Sequence, residues 1–438
     1  MNPALERQVI SKVAWRLIPF MILLFILNYV DRVNVSVAKL QMNKELGFDD
    51  AIYGFGVGIF FIGYFIFEVP SNMLMQRFGA RIWIARIMVS WGLVSASMMF
   101  INSSLSFYCL RVLLGVAEAG FFPGMVLYLT YWFPARQRAR ASAWFMTSTA
   151  LSGLIANPLG MWIMETLNGH SGFSGWRWLF LLEGIPSVLF GIVAFFLLTD
   201  RPDKAAWLDP EERNWLNECL SAEQAGRAGN SHGHGGLSAA FGDAKVWLLA
   251  VIYCLLIFGF YGLQFWTTTI VKEVSHAPDN ILGWLAAIPF LAGAVGMVLI
   301  GRSSDKSGNH NRHVAASAFT GCLGLLVVCV STSSAFATIA GLSLAAVGIF
   351  GTLGPFWALP PTFLSGVAAA AGIALINSLG NLAGGFAGGW LTGWLKVETN
   401  SYVWGLLVDS AALFAAGCLV LGIRPRQAPF IGILRDPT

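Results

Sequence analysis

Long runs of apolar residues alternate along the chain with short polar stretches, and run after run reaches the roughly 20 residues that a bilayer-crossing helix needs. The runs are unbroken and rich in Leu, Ile, Ala and Gly. They lack the apolar–polar alternation over segments of about 10 residues that marks the strands of a membrane β-barrel. The pattern predicts twelve transmembrane helices, near residues 14–37, 51–75, 82–101, 105–131, 140–165, 177–198, 246–271, 281–301, 314–333, 337–359, 366–395 and 402–423. The first run, Ile18 to Val30, is followed by further runs and by no small-residue cleavage site, so it reads as the first span and not as a removable leader. The expected fold class is an all-α membrane protein.

The longest polar segment, residues 200–245, contains AEQAGRAGNSHGHGGLSAA and divides six predicted spans from six. It reads as a cytoplasmic linker between an N-terminal six-helix bundle, 1–199, and a C-terminal bundle with its cytoplasmic tail, 246–438. His232 and His234 lie in this Gly-rich stretch and read as solvated linker residues, with no metal expected. The two halves look like repeats. QRFGAR (Gln76 to Arg81) follows span 2 and GRSSDKSG (Gly301 to Gly308) follows span 8, with Gly79 and Gly308 229 positions apart. Trp15 and Trp247, each near the start of its half, lie 232 apart. Internal repeats with a central site at their interface are a mark of secondary transporters.

Composition agrees with the pattern. The 438 residues are 56% hydrophobic and 11% charged, with a mean hydropathy of +0.67. A soluble domain carries about 25% charged residues, so this chain has too little polar surface to dissolve in water. The net charge of +4 matters less than its distribution. Twenty Lys and Arg residues fall on the side of the termini and the 200–245 segment, five on the opposite side, and Arg32 and Arg111 inside spans. The positive-inside rule then places both termini in the cytoplasm of a bacterial-type inner membrane. The charge is no nucleic-acid signal. The six cysteines lie mostly in apolar runs without metal-ligand spacing and read as buried, unpaired thiols. No GxxxxGK[ST] motif occurs and no nucleophile stands beside a base, so neither ATP drive nor enzymatic catalysis is expected.

The candidate chemistry lies in charges that a bilayer should exclude. Each ionised side chain at the bilayer centre costs about 2.5–3.5 kcal/mol on insertion scales, so Asp31, Arg32, Arg111 and Glu118 persist only if paired or facing a wet cavity. Arg111 and Glu118 are seven residues apart, on one helix face but separated by roughly 10 Å of rise, so each must meet groups on another helix. Asp31 and Arg32 point about 100° apart, which lets one face the cavity and the other span 4. One reading is a structural ion-pair network between spans 1 and 4. The other uses the chemistry of the groups. Burial favours the neutral form of a carboxylate, which suits proton uptake. Arg keeps its charge and offers a planar fork that binds a carboxylate bidentately. Tyr29, Tyr64, Gln264, Trp357, Asn377 and Asn381 are further polar or aromatic groups inside apolar runs. Asn377 and Asn381, four apart, share one face of span 11. Glu68 and Glu183 also interrupt spans and read as structural or gating residues.

Several strings resemble a known family. These are NYVDRVN (Asn28 to Asn34), FFIGYFIFEVPSNMLMQRFGAR (Phe60 to Arg81), RVLLGVAEAGFFPG (Arg111 to Gly124), GWRWLFLLEGIPS (Gly175 to Ser187), RPDKAAWLDPEER (Arg201 to Arg213) and INSLGNLAGGFAGG (Ile376 to Gly389). With GRSSDKSG, they make the chain similar to the major facilitator superfamily, and within it to the anion:cation symporters that include tartrate, phthalate and sugar-acid permeases. The first-half loop departs from the family pattern, with Gln76 at the usual acidic position and Asn72 at the usual glycine. The resemblance implies twelve helices in two pseudo-symmetric six-helix bundles. It implies Asp31 and Glu118 as protonated groups, Arg111 as their coupling partner and Arg32 as anion binder, with Tyr29, Tyr64, Trp357 and Asn377 as substrate contacts. Sugar-acid members commonly offer a polar amide in span 5, where the polar residues read here are Thr147, Ser148, Thr149 and Ser152.

The expected function is proton-coupled uptake of a small organic anion, such as a tartrate-like dicarboxylate, aromatic acid or sugar acid, by alternating access. The alternatives are an organic-anion exchanger or efflux pump and, in another class, a membrane sensor that transports nothing. The expected partners are the anion, protons and the lipid bilayer, with no nucleic acid, no cofactor beyond the coupling protons, and a monomeric state.

Overall fold

The computed structural model describes residues 3–229, 242–331, 333–360 and 366–423, and among them there are helices and turns but no strand. The first half comprises α1 (Pro3–Leu46), α2 (Asp50–Phe78), α3 (Ala80–Ser97), α4 (Ser104–Glu118), α5 (Phe121–Trp132), α6 (Ala135–Thr166) and α7 (Gly175–Leu197). After α8 (Pro210–Gly229), the second half runs through α9 (Ala244–Ser275), α10 (Asp279–Ser307), α11 (His310–Val330) and α12 (Ala335–Trp357). It ends with α13 (Gly366–Leu379), α14 (Phe386–Thr399) and α15 (Val403–Leu421). Ten of the described segments are long and apolar enough to cross a membrane, α4 and α5 counting as one. The continuous helix α6 and the pair α13–α14 supply the other two spans of a twelve-helix fold. Exposed apolar residues run in stripes at helical spacing, for example Leu291, Val295 and Leu299 on α10, as a lipid-facing surface requires.

Local signals explain where the helices begin and turn. The Asp49 carboxylate accepts from the Ile52 N–H at 2.7 Å at the start of α2, and Ser103 with Ser106 forms a reciprocal cap on α4. Gly79 (φ 91°) and Gly308 (φ 67°), the pair noted as repeats, both occupy the positive-φ region between consecutive helices. The acidic group absent at Gln76 is replaced from elsewhere. The Asp200 carboxylate, from beyond the end of α7, accepts the Arg81 N–H at 2.9 Å at the start of α3. The six cysteines are free, but only Cys322 is fully buried and Cys109 and Cys418 are exposed, so the burial expected of these thiols fails for those two.

Two predicted spans are broken. Span 4 divides at Ala119–Gly120, where Gly120 is left-handed (φ 84°) and Pro123 sits in the first turn of α5, where its missing N–H is least harmful. Span 11 passes through a π-helical turn, Gly380–Gly385, between α13 and α14. These glycines admit close neighbours: a Cβ on Gly385 would stand 2.7 Å from the Phe61 ring of α2. The predicted linker is also more ordered than expected. Asp209-Pro210-Glu211-Glu212 is a helix-start sequence, and α8 follows with Leu216 and Leu220 buried on one face. Lys12 Nζ, on α1, donates to Glu212 at 2.6 Å and to Asp209 at 3.3 Å, tying α8 to the first helix. His232 and His234 lie outside the described residues.

The halves meet most closely at the end carrying loops 47–49, 167–174, 276–278 and 400–402. There α2 packs on α14 and α6 packs on α10. Small residues set both contacts: a Cβ on Gly58 would stand 2.8 Å from the Phe386 carbonyl oxygen, and one on Gly283 would stand 2.9 Å from that of Asn157. Lys39 seals the same end. Its ammonium lies 2.7 Å from Asp50 and 4.0 Å over the Trp266 ring, while the Tyr402 hydroxyl donates to Asp50 at 3.0 Å from the other half. Replacing Gly58 by Leu should wedge this end open, because the nearest atom is a backbone carbonyl oxygen that cannot swing aside. In detergent, a cysteine placed at the fully buried Tyr53 should then react with a maleimide, and should stay unlabelled in the protein with Gly58 intact. Equal labelling of the two would show that the α2–α14 seam does not close this end.

Candidate functional site

Arg32 stands where the halves meet, on the face of α1 that looks toward α2, α4 and α9. Its Nη2 pairs with Glu118 Oε1, and its Nη1 donates to the Tyr261 hydroxyl at 3.1 Å across the interface. The guanidinium also lies over three rings of its own half: Phe60 at 5.3 Å, Tyr64 at 5.4 Å and Tyr29 at 5.9 Å. Glu118 is the last residue of α4, so the break at Gly120 presents its carboxylate at a helix end. Helices interrupted at the membrane midplane are the recurrent way transporters build their sites.

Hydrogen bonds carry the arrangement onward with a single polarity. The Tyr261 hydroxyl donates to Asn381 Oδ1 at 3.4 Å, and Asn381 Nδ2 donates to Asn377 Oδ1 at 3.1 Å and to its carbonyl at 3.0 Å. Asn377 Nδ2 then donates to Glu68 Oε1 at 3.0 Å, and Ser378 Oγ donates to Glu68 Oε2 at 2.8 Å. The chain therefore starts on a cation and ends on a carboxylate. It leaves the first half at Arg32 and re-enters it at Glu68. Asn377 and Asn381 share one face as their spacing predicts, immediately before and within the π turn.

Tyr29 and Gln264 face one another beside this chain. Both are buried, yet neither the Tyr29 hydroxyl nor either end of the Gln264 amide has a protein partner at hydrogen-bonding geometry. Buried polar groups left unpaired cost about 1–3 kcal/mol each, and each of these two side chains is within reach of the other as a partner. Trp357 lies apart from Arg32. It packs edge-to-face on Tyr253 at 4.9 Å, and Tyr253 in turn lies against Gly380 of the π turn.

Two expectations need correction. Asp31 faces neither the cavity nor span 4. It points into the first half, accepting from Trp91 Nε1 at 2.9 Å, Ser95 Oγ at 2.8 Å and Ser187 Oγ at 2.5 Å, all neutral donors on α3 and α7. The rotation between adjacent helix positions sends it away once Arg32 is fixed toward Glu118. Arg111, expected as coupling partner of the carboxylates, has none within ion-pair distance among the described residues. Its Nε and Nη2 donate to the Gly56 and Val57 carbonyls at 3.1 and 3.4 Å, and its Nη1 is unbonded. Glu118 takes Arg32 instead, as the seven-residue separation from Arg111 requires.

Sequence reasoning missed three residues. Tyr261 bridges the halves but looks like one aromatic among many in α9. Ser378 lies beside a residue already singled out. Asn157 is an amide in span 5 that was not among the residues named there: its Oδ1 accepts from Thr268 of the opposite half at 2.8 Å. Of the span 5 residues named earlier, Ser148 and Ser152 are buried, and Ser152 donates to the Ser148 carbonyl at 2.7 Å. The side chains of Thr147 and Thr149 are outside the described set. Glu183 is buried with both carboxylate oxygens unbonded in the protein.

A charged, discontinuous-helix site enclosed between two membrane halves defines a polytopic transporter. The chain belongs to the Major Facilitator Superfamily, whose family model matches residues 21–389. It is therefore a multi-pass inner-membrane transport protein and not an enzyme. It is 45% identical over 429 residues to a protein of Agrobacterium vitis named for tartrate transport, covering 98% of this chain and 97% of that one. It is 40% identical over 412 residues to NicT of Pseudomonas putida, named as a metabolite transport protein, covering 94% and 92%. Among solved structures, a bacterial homologue of the human lysosomal transporter Spinster, captured inward-facing and unoccupied, superposes with a TM-score of 0.74. That match covers 98% of this chain and 100% of the other at 17% identity, which shows a common fold.

Tyr261→Phe tests the bridge. The variant keeps the ring, which stacks on Phe265 at 5.5 Å, but strips Arg32 of an acceptor and Asn381 of a donor. Leaving buried partners unsatisfied should lower stability by about 1–3 kcal/mol, read as a fall in the midpoint of thermal unfolding. An unchanged midpoint would show that the hydroxyl joins nothing.

Proposed function

We propose that the protein is a proton-coupled importer of a small organic anion, working by alternating access between its two halves. The observation that carries this reading is the placement of Arg32. A permanent cation is held between the halves by one carboxylate, Glu118, and one neutral hydroxyl, Tyr261, beside the buried Tyr29 and Gln264. A substrate carboxylate arriving at the guanidinium competes with Glu118 for the same fork. Glu118, deprived of its counter-charge in an apolar setting, then takes a proton. Linkage requires that substrate and proton favour each other's binding reciprocally. Asp31 is the second carboxylate of the mechanism: its three donors are neutral, so a proton is what can neutralise it where it stands. Arg111, with one unbonded nitrogen, acts as the spare cation when the pairing is exchanged. Tyr29, Tyr64, Gln264, Asn377, Asn381 and Trp357 line the substrate path, Trp357 from one layer behind. The relative named for tartrate transport makes a hydroxylated dicarboxylate the first substrate to test.

The basic residues place both termini in the cytoplasm in this reading. The sealed end of the molecule then faces outward. A cysteine at Lys44 should accordingly react with an impermeant maleimide applied to intact cells; labelling only after the cells are opened would reverse the orientation.

Proteoliposomes test the coupling. With an inward-directed pH gradient the protein should accumulate labelled tartrate or another small organic acid. Glu118→Gln, which imitates the protonated state, should keep counterflow exchange yet lose accumulation. Accumulation by the Gln variant equal to that of the parent would remove Glu118 from the coupling step, and uptake indifferent to the gradient would sink proton symport itself.

A further inference from the structure

Glu68 holds the far end of the hydrogen-bonded chain, and no part of the mechanism above uses it. Its carboxylate is buried, belongs to α2 of the first half, and is gripped entirely by the second half. Asn377 Nδ2 serves one oxygen at 3.0 Å and Ser378 Oγ serves the other at 2.8 Å. Each carboxylate oxygen has its own partner on α13, an amide for one and a hydroxyl for the other. No Lys or Arg among the described residues lies within ion-pair distance of it. Two neutral donors on one helix, clasping the two oxygens of a carboxylate, form a bidentate carboxylate receptor. Here a residue of the protein's own fills it.

We propose that Glu68 is a resident competitor for the substrate: it occupies the Asn377–Ser378 donor pair in the empty carrier, and an incoming anion displaces it. The inference rests on the organic-anion reading above and adds a second anchoring point to it. Asn377 is joined through Asn381 and Tyr261 to Arg32, by bonds of 3.1, 3.4 and 3.1 Å. In this proposal a substrate with one carboxylate on Arg32 directs its other end toward the Asn377–Ser378 pair. The class selected is a compact acid bearing a second carboxylate or a hydroxyl, which accepts from both donors as Glu68 does. Displacement also unties α2 from α13, since both bonds of Glu68 cross between the halves. Occupancy of the site and release of this tether become one event.

The competition has a distinctive consequence. Removing a residue that merely supports the site weakens binding, whereas removing a competitor strengthens it. Glu68→Gln keeps the shape but turns one of the two acceptors into an amide donor, and the hydrogen bond so lost is worth about 1 kcal/mol. Tartrate binding to the purified variant, followed by titration calorimetry, should therefore be on the order of fivefold tighter than to the parent. Glu68→Met, which removes both acceptors, should show at least as large a gain. Either variant serves, provided its thermal unfolding midpoint stays within a few degrees of the parent's. The parent is measured first with tartrate and a panel of small organic acids. If it binds none of them, the organic-anion reading falls and this inference with it. If the parent binds and both variants bind equally or more weakly, the organic-anion reading stands and Glu68 is no competitor.

Discussion

The structure turns on one unusual placement, a guanidinium that cannot lose its charge set between two apolar bundles. Arg32 at that depth demands compensation, and the surrounding architecture supplies it. Glu118 meets it from the broken end of α4, three aromatic faces surround it, and Tyr261 reaches it from the opposite half. A single ionised side chain at the bilayer centre carries a penalty of about 2.5–3.5 kcal/mol, and pairing with Glu118 removes much of it for both groups at once. Breaking such a pair leaves a bare buried charge, which is far more costly than never having formed it. The pair is therefore stable until something equivalent takes the place of one member, and a carboxylate or a proton is such an equivalent. Arg32 thus makes the interface both cohesive and responsive.

The helix breaks follow from the same demand. An unbroken span 4 would present Glu118 along a helix flank with its neighbours stacked above and below. Gly120 at φ 84° separates α5 from α4, which ends at Glu118 itself. The π turn at Gly380–Gly385 does the corresponding work in the second half, where it carries Asn381 and follows Asn377 and Ser378 directly. π-helical turns inside α-helices concentrate at functional sites. The glycines that make both breaks also let α2 and α9 approach the site closely.

Much of this was legible in the sequence, and the limits have physical causes. Twelve apolar runs, the position of the 200–245 segment and the charges out of place in spans 1 and 4 are one-dimensional signals, and they led to the fold and to Arg32 and Glu118. Gly79 and Gly308 announced turns because only glycine occupies such φ values freely. What a sequence does not carry is rotation of one helix against another. That rotation decided that Asp31 turns into the first half toward Trp91, Ser95 and Ser187, and that Glu118 meets Arg32 while Arg111 spends its donors on carbonyls of α2. The break beside Glu118 had a written signal, Gly120 with Pro123, which apolar continuity masked. Asn157 was simply overlooked within its run. Tyr261 and Ser378 carry no signal of their own, since a tyrosine in an aromatic helix and a serine beside an asparagine are ordinary until their neighbours are known.

The connectivity of the site also constrains how the protein moves. The hydrogen-bonded chain begins on Glu118 and Arg32 in the first half, passes through Tyr261, Asn381 and Asn377 in the second, and ends on Glu68 back in the first. Any rocking of the halves must cut it twice, at Arg32–Tyr261 and at Glu68 with its two donors. At the sealed end, the same rocking must separate Tyr402 from Asp50 and withdraw Trp266 from Lys39. The cut bonds include charged partners at both levels, so the movement is strongly opposed while they remain buried and unreplaced. A two-state carrier responds to a ligand only through differential affinity for its states. Under the proposed displacement that difference has a physical location: a state in which an anion replaces Glu118 and Glu68 as acceptor is one in which the halves no longer hold each other through those residues.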